Sequence, residues 1–428
     1  MTVALRALVA CSLALTTAGI AFPASAAVAA DEACAPGTYD YSTEQPPALD
    51  LLQADIAWER ATGAGVLVAV VDSGVDAANA HLSGAVVGGI DLVGDGTNPD
   101  GTSDVNGHGT AIAGQIAARS IPESGVVGLA PDANLLSVRV YRSDDDQSVK
   151  AGFGPSPDRL AAGIRYAADS GAQIINVSMS DDAGSPALAE AVAYATQAGS
   201  LVVASAGNAA TTDNLTPAPR YPAAYPGALA VTATNESAGA TDDSIHGPHV
   251  EIAAPGMTIL TSATGAGDCI YAAEAPSSSF ATAYVSAAAA LVAQAHPEET
   301  PEQWAYRLMA SASRADPDRR DDLLGWGVAQ PFEAITLLPD ASTRGPESPF
   351  VENASSAVRP DAVTVEPHTS PSAMLATQQL LIVVATVGLA VLGTLALMIS
   401  LRARRRERAM LVAASDGASP TPPPSSAP

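Results

Sequence analysis

The sequence of 428 residues is poor in several residue types, and each shortage narrows what the protein can be. Lys150 is the only lysine, and 20 basic residues face 45 acidic ones, which gives a formal net charge of −25. A general nucleic-acid-binding protein carries a basic surface, so this class is excluded and we expect no nucleic-acid partner. Aromatic residues make up only 4% of the chain, so the core must be built from small aliphatic side chains. No Walker loop or dinucleotide-binding fingerprint occurs, and we expect no cofactor.

Apolar residues make up 47% of the chain, which excludes wholesale disorder. The N-terminus has the pattern of a secretory signal, because Arg6 precedes an apolar run that ends at Phe22 and the small residues ASA follow. This predicts a signal peptide over residues 1–26. A lipoprotein signal ending at Cys11 is the alternative, but the stretch between Arg6 and Cys11 is too short for an apolar core.

A second apolar run lies near the C-terminus. Leu380 to Leu401 contains no charged residue, and at roughly 1.5 Å per helical residue it spans about 33 Å, enough to cross a bilayer. Arginines crowd the stretch that follows, and the positive-inside rule places them in the cytoplasm. We therefore expect a transmembrane helix over 380–401 and a basic, then disordered, cytoplasmic tail over 402–428. The protein would be a single-pass type I protein of the plasma membrane, with its long N-terminal part outside.

Composition also divides the chain between its two ends. Residues 27–49 are acidic and contain proline without a period, which predicts an N-terminal extension that stays attached as an extended arm. Residues 50–338 alternate apolar strands with amphipathic stretches of helix length and form the predicted main domain. Residues 339–379 are rich in Pro, Ser and Thr, which is typical of a flexible linker.

The alternation within residues 50–338 predicts the fold class. Apolar strands separated by helices need crossover connections, which favours an α/β fold with a mostly parallel central sheet and helices on both faces. The predicted strands are Val66–Val71, Asn134–Val140, Gln173–Val177, Ser200–Ala204 and Ala228–Thr232. The predicted helices are Leu51–Ala61, Gly109–Ala118, Pro157–Ser170, Pro186–Ala198, Phe280–Ala295 and Pro301–Ser313.

Three short sequences carry the residue types of nucleophilic catalysis. Asp72 ends the apolar strand in VAVVDSG, at the edge where open α/β sheets keep their sites. His108 stands between two glycines in NGHGTAIAG, and Ser279 opens an alanine-rich helix in SSSFATA. Each alone has a structural alternative, namely a capping acid, an exposed histidine or an N-cap serine. Together they predict that Ser279 is the nucleophile, His108 the general base and acid, and Asp72 the residue that orients His108.

Acyl transfer also needs donors for the oxygen that becomes negative. Asn208 follows an apolar strand on a glycine-bearing turn, so its side-chain amide could point at that oxygen. The alternative is an asparagine that only serves a tight turn. The start of the helix at Ser279 offers free backbone N–H groups and the positive end of the helix dipole.

These sequences resemble those of the subtilisin-like serine proteases. The order Asp, His, Asn, Ser is the family's, and the segments GLAP, IINVS, the IAAPG turn and GWGVA are similar to further family segments. The resemblance covers about residues 50–338 and implies a subtilisin-like α/β domain with serine endopeptidase activity on a polypeptide substrate. It also implies that Ser178, at the end of IINVS, and Gly207, beside Asn208, flank the substrate cleft.

The whole plan resembles a narrower group. A signal peptide, a protease domain, a Pro-rich linker, one membrane span and a short basic tail are similar to the mycosins, the membrane-anchored subtilisin-like proteases of actinobacterial type VII secretion systems. This resemblance implies a protein on the outer face of the plasma membrane that works with a secretion membrane complex. The alternative is a protease-like scaffold subunit that stabilises such a complex with little or no required cleavage.

The chain departs from the family pattern at two places. The nucleophile segment of the family usually reads G-T-S-x-A-x-P, whereas this chain has Ser277, Ser278 and Ala283 at the first, second and last positions. No reacting group is lost, so we expect an active enzyme, slow and selective in its cleavage. After Ser178, the sequence MSDD stands where the family has glycines, which predicts a narrower and more acidic wall of the cleft.

Removal of the signal peptide leaves two cysteines, Cys34 and Cys269. An oxidising compartment and an even count favour a disulfide between them. It would close a loop of roughly 235 residues and stabilise the fold by about 5 kcal/mol on the chain-entropy model. Because Cys269 lies shortly before Ser279 in the chain, the bond would hold the arm close to the site. The segment 27–49 is too short and polar to bury a core, so we expect no separate propeptide domain.

Two other polar clusters are weighed as metal sites. His246 and His249 flank a Gly-Pro pair without a third ligand nearby, which favours a surface turn over a metal site. The three consecutive aspartates at 144–146 could bind calcium, but a solvated acidic loop is the simpler interpretation. We therefore expect no metal.

Overall fold

The structure is a computed structural model that describes residues 40–211, 218–265 and 267–350, and helical stretches between residues 388 and 406. The chain divides into two units, residues 1–357 and residues 358–428. The predicted signal peptide over 1–26 and Cys34 lie outside the described residues.

A parallel sheet forms the centre of the first unit. Its strands β1 to β7 are, in chain order, Leu67–Asp72, Val86–Asp91, Asn134–Arg139, Ile174–Val177, Leu201–Ser205, Ala228–Thr234 and Ile252–Pro255. They lie in the order β2-β3-β1-β4-β5-β6-β7, and every neighbouring pair is parallel. All residues of β4, β5 and β6 are buried, as expected for a sheet covered on both faces. The predicted α/β architecture with a mostly parallel central sheet is confirmed.

Helices cover the two faces of this sheet. The helices α1 to α9 are Pro47–Leu51, Ala54–Trp58, His108–Ala117, Asp146–Lys150, Pro157–Asp169, Pro186–Gln197, Ser278–Ala295, Pro301–Ser311 and Pro331–Thr336. The buried side chains of α3 and α7 join one core cluster, and those of α5 and α6 join a second. Helix α7 is buried along most of its length, and its many alanines explain how a core poor in aromatic residues is filled.

Several strands escape prediction from sequence. Strand β2 contains two adjacent glycines and is mostly half-exposed, and β7 is a four-residue edge strand that ends at Pro255, within the predicted IAAPG turn. An antiparallel hairpin, β8 at Ile259–Ser262 and β9 at Asp268–Tyr271, is also unpredicted. Short strands interrupted by glycine or ended by proline lack the apolar run on which strand prediction depends.

The described end of the N-terminal extension is hydrogen-bonded to the hairpin. The backbone N–H of Asp268 donates to the carbonyl of Asp40 at 2.8 Å, and the N–H of Ser42 donates to Asp268 Oδ2 at 2.8 Å. The same carboxylate contacts the buried His81 ring, with Asp268 Oδ1 2.9 Å from His81 Nε2. Cys269, the next residue, is disulfide-bonded; because Cys34 lies outside the described residues, the predicted pairing stays a prediction.

The first residues of the predicted linker contact the protease domain. The ring of Phe350 lies 5.7 Å from that of Tyr306, and the Arg307 guanidinium lies 5.5 Å from the Phe350 ring centre. Arg344 Nε donates to Asp318 Oδ1 at 2.9 Å. A composition rich in Pro and Ser therefore includes residues that pack on the domain.

The second unit is described only in part. Of the predicted membrane span 380–401, the structure describes residues 388–389 and 392–401, which are helical. Within the described stretches, no helix combines the length and the apolar character needed to cross a membrane. The remaining residues of the predicted span, and most of the tail over 402–428, lie outside the described residues.

Candidate active site

The carboxyl end of β1 places Asp72 in the middle of the sheet edge. Asp72 is fully buried, and its Oδ1 lies 2.8 Å from Nδ1 of His108. Because a carboxylate only accepts, Nδ1 carries the proton and Nε2 is left as the acceptor of the neutral ring. The backbone N–H of Ser73 and the hydroxyl of Tyr141 also donate to Asp72 Oδ1, at 2.7 and 3.1 Å. These contacts fix the carboxylate against the histidine.

A second buried carboxylate, Asp104, fixes the loop that carries His108. Asp104 Oδ1 accepts from Ser73 Oγ at 3.0 Å and from the N–H of Gly107 at 2.9 Å. Its Oδ2 accepts from the N–H and the hydroxyl of Thr110, at 2.9 and 2.7 Å. Gly107 has φ of 97°, a left-handed conformation that glycine adopts without strain. Asp104 thus ties the turn after Asp72 to the first turn of α3, which begins at His108.

The electrostatics of the site act on His108. Burial lowers the pKa of the imidazole, but the negative charges of Asp72, Asp104 and Asp144 outweigh burial, so the pKa is raised above its ordinary value of 6.5. Burial also raises the pKa of Asp104, and the hydrogen bonds from Gly107 and Thr110 oppose that effect.

Ser279 lies in the first turn of α7, which begins at Ser278, two residues before the predicted start at Phe280. Its hydroxyl donates to the carbonyl of Ser178 at 2.8 Å, and the Ser178 hydroxyl donates to the carbonyl of Ser279 at 2.8 Å. A hydroxyl has one proton, so transfer to the His108 ring requires rotation of the Ser279 hydroxyl away from Ser178. His108, Ser178 and Ser279 line the same cleft.

Asn208 lies where the chain turns after β5, next to the start of α7. Its Oδ1 accepts from the N–H of Ser278 at 2.7 Å and from the Ser278 hydroxyl at 2.8 Å, while its Nδ2 donates to Ser277 Oγ at 3.1 Å. Gly207 has φ of 104°, and a Cβ there would lie 3.0 Å from Arg220 Cγ. The turn therefore needs glycine to bring the Asn208 amide to the start of α7.

The cleft around these residues has a volume of about 470 Å³. The predicted acidic wall is present in part, because Met179, Ser180 and Asp181 line the cleft. Asp144 lines it as well, from the loop before α4. The cleft therefore carries two carboxylates in addition to the buried pair beside His108.

The structure corrects one of the alternatives weighed from sequence. His249 does not lie on a surface turn: it is buried, and its Nε2 is 3.0 Å from the carbonyl oxygen of Ala206. The short stretch GPH places the ring under the turn that leads to Asn208, and sequence alone gives no sign of this. Asp145, in the acidic loop, caps α4 by accepting from the N–H groups of Gln147 and Ser148.

Sequence reasoning missed two residues of the site. Asp104 is visible in the string DVNGHGT, but any polar loop contains such an acid, and its buried position depends on the fold. Tyr141 follows β3, which pairs with β1, and only that pairing brings its hydroxyl to Asp72.

Comparison with known proteins agrees with this geometry. Residues 63–327 match the model of the subtilase family. The chain belongs to the subtilase family. It is 40% identical to thermitase of Thermoactinomyces vulgaris over 210 residues, which cover 49% of this chain and 70% of thermitase. It is 34% identical to subtilisin E of Bacillus subtilis over 278 residues, which cover 64% of this chain and 68% of that protein. As a subtilase, the protein is a serine endopeptidase.

Solved structures with the same fold include mycosins. MycP1 from Mycobacterium smegmatis superposes with a TM-score of 0.60 at 30% identity, over 72% of this subtilase and 91% of MycP1. MycP3 from the type VII (ESX-3) secretion system gives a TM-score of 0.59 at 29% identity, over 70% and 90% of the two chains. The predicted likeness to subtilisin-like proteases, and to mycosins among them, is confirmed.

Proposed function

We propose that this subtilase is a membrane-anchored extracytoplasmic serine endopeptidase that works with a type VII secretion complex. Ser279 is the nucleophile, His108 the general base and acid, Asp72 the orienting carboxylate and Asn208 the oxyanion donor. The observation that carries the chemistry is the 2.8 Å contact between Asp72 Oδ1 and His108 Nδ1, in a cleft that His108 shares with Ser279.

The proposed reaction follows from this arrangement. Ser279 Oγ forms a bond to the scissile carbonyl carbon while its proton passes to His108 Nε2, and the carbonyl electron pair moves onto the oxygen. Asp72 stabilises the imidazolium, and the Asn208 amide with the start of α7 stabilises the oxyanion. His108 then gives the proton to the leaving amine, and water repeats the sequence on the acyl-enzyme. Because only neutral His108 accepts a proton, the raised pKa predicts activity that falls at acidic pH.

Covalent labelling tests the chemistry. A fluorophosphonate probe should label the purified ectodomain, and Ser279→Ala should abolish labelling while the thermal unfolding transition stays within a few degrees. Ser170→Ala is the matched control, because Ser170 is an exposed serine at the end of α5 that lies outside the cleft. Labelling that persists in Ser279→Ala, or is equally lost in Ser170→Ala, would contradict the assignment.

The link to secretion is supported by likeness to proteins with that role. One solved neighbour, MycP1, is described as an essential component of the type VII (ESX-1) secretion system, and it is 32% identical over 71% of this chain and 92% of MycP1. Ser279→Ala at the native locus, compared with deletion of the whole gene, separates the enzyme from the alternative of a scaffold subunit. Secretion lost in both supports required cleavage, whereas secretion lost only on deletion supports the scaffold.

Membrane anchoring is supported by the uncharged segment 380–401 and the arginines after it. The full chain should resist alkaline carbonate extraction from membranes, and a chain that stops at residue 379 should be released into the medium. Release of the full chain by carbonate would overturn this part of the proposal. Peptide mapping without reductant tests the proposed Cys34–Cys269 bond in the same preparation, and two free thiols would refute it.

A further inference from the structure

The N-cap serine of the nucleophile helix behaves unlike the other hydroxyl N-caps among the helices that the structure describes. Ser156, Ser185 and Thr300 each accept a hydrogen bond from the backbone N–H three residues on, which is the usual role of such a cap. Ser277, the N-cap of α7, makes no capping bond with its side chain. Its Oγ instead accepts from Nδ2 of Asn208 at 3.1 Å. The Ser277 hydroxyl therefore contacts the Asn208 amide instead of capping α7.

The amide of Asn208 has little freedom to avoid this contact. Its Oδ1 is held by two donors from Ser278, the backbone N–H at 2.7 Å and the hydroxyl at 2.8 Å. Because an amide is planar, fixing the oxygen also fixes the direction of the nitrogen. The Nδ2 group thus points along the start of α7, two residues before Ser279, and the oxygen it meets there belongs to Ser277.

We propose that Ser277 is a built-in competitor for the oxyanion donor of this subtilase, an inference that rests on the function proposed above. In the resting enzyme its Oγ accepts from one of the two N–H bonds of the Asn208 amide, the one that points at the start of α7. When Ser279 attacks, the oxygen of the scissile carbonyl gains the electron pair and takes from Ser277 this N–H, the one directed at the start of α7. Hydrogen bonds to an anion are stronger than those to a neutral hydroxyl, so the exchange is favourable, but breaking the resting bond subtracts from the stabilisation of the transition state.

The size of the effect follows from ordinary hydrogen bonds. A net neutral hydrogen bond corresponds to roughly a two- to tenfold change in rate, whereas loss of a whole oxyanion donor costs roughly 100- to 1,000-fold. Ser277→Ala removes the competing oxygen and keeps the Cβ, so kcat/KM should rise roughly two- to tenfold, mainly through kcat. Ser277→Gly should raise kcat/KM to a similar extent. Comparison of the two variants separates loss of the hydroxyl from any change in backbone freedom.

A double-mutant cycle tests whether the gain passes through the amide. In an Asn208→Ala background, Ser277→Ala should give no gain, because no amide remains to be released. Rates are measured on a fluorogenic peptide and divided by the concentration of sites titrated with a fluorophosphonate. Ser185→Ala is the control, since it removes the hydroxyl N-cap of α6 far from the nucleophile in the chain and should leave kcat unchanged.

The outcomes are distinct. An unchanged or lowered kcat in Ser277→Ala would overturn the proposal, and a lowered value would mean that the hydroxyl itself donates to the oxyanion. A gain that persists without the Asn208 side chain would overturn it as well. Failure of the proposed function shows separately, as absence of labelling at Ser279 in the unmutated protein. In that event NMR still tests the contact between Ser277 and Asn208. The proton resonance of the Asn208 side-chain amide should shift in Ser277→Ala, and an unshifted resonance would refute the contact.

Discussion

Replacing Asp104 by asparagine removes a buried negative charge and keeps the shape of the side chain. Asp104 Oδ1 accepts from Ser73 Oγ and from the N–H groups of Asn106 and Gly107, whereas Oδ2 accepts from the N–H and hydroxyl of Thr110. The new NH2 group fits best at the Oδ2 position, because the Thr110 hydroxyl can reverse and accept from it. The Thr110 N–H then loses its acceptor, which costs about 1–3 kcal/mol.

Part of that cost is recovered, since burial disfavours the charge of Asp104 and raises its pKa. A net decrease of about 2 kcal/mol in the free energy of unfolding leaves a typical domain folded, because that free energy is about 5–15 kcal/mol. The larger consequence concerns His108, because Asp104 is one of the charges that raise its pKa. Asp104→Asn should lower that pKa, so more His108 is neutral in acid and the acid limb of kcat/KM moves to lower pH.

The assay is the pH profile of peptide hydrolysis, with rates divided by the number of fluorophosphonate-titrated sites and with the melting temperature measured in parallel. Asp100→Asn is the matched control, because it removes an exposed carboxylate from the same loop and should leave the acid limb in place. A purely structural role for Asp104 would lower the melting temperature without moving the limb. An acid limb that stays in place or moves to higher pH would therefore refute the electrostatic reasoning.

Two further substitutions examine the same site. Asp144→Asn removes an exposed charge that also raises the pKa of His108, so the acid limb of kcat/KM should move to lower pH. The shift should be smaller at high salt, where screening weakens the interaction of exposed charges. An equal shift at both ionic strengths would argue against an electrostatic effect of Asp144. Gly109→Ala should lower kcat roughly 100-fold, because the new Cβ would collide with the backbone after Asp72 and displace His108. Gly88→Ala, where a Cβ has room, should leave kcat intact.

The sequence alone identifies the proposed reacting groups individually, but it does not show where in the fold they come together. Asp72, His108 and Ser279 each have a local requirement that leaves a visible pattern: a strand end, flanking glycines and a helix start. Their convergence depends on the strand order, in which β1 lies between β3 and β4, while α7 follows much later in the chain. Periodicity does not contain that long-range information, and the resemblance to the subtilases supplied it.

Residues that act through burial were the ones that local patterns could not predict. The local sequence around Asp104 is typical of a solvated acid in a loop, and the sequence around Tyr141 indicates only that it follows a strand. The sequence around His249 predicts a surface turn, but the side chain is buried and contacts the carbonyl oxygen of Ala206. In each case the decisive partner comes from a distant segment, so the side chain's role exists only after the sheet has formed.

Both proposed reacting groups of the cleft are held by partners within the protein before substrate arrives. The Ser279 hydroxyl donates to the carbonyl of Ser178, and the Asn208 amide donates to Ser277. Both bonds must break on the way to the tetrahedral intermediate, so each raises the barrier unless binding of the substrate offsets it. Contacts remote from the reacting carbonyl can supply that energy, and a short substrate lacks them. Lengthening a peptide substrate along the cleft should therefore raise kcat as well as lower KM, and an effect on KM alone would mean that these resting bonds do not limit the reaction.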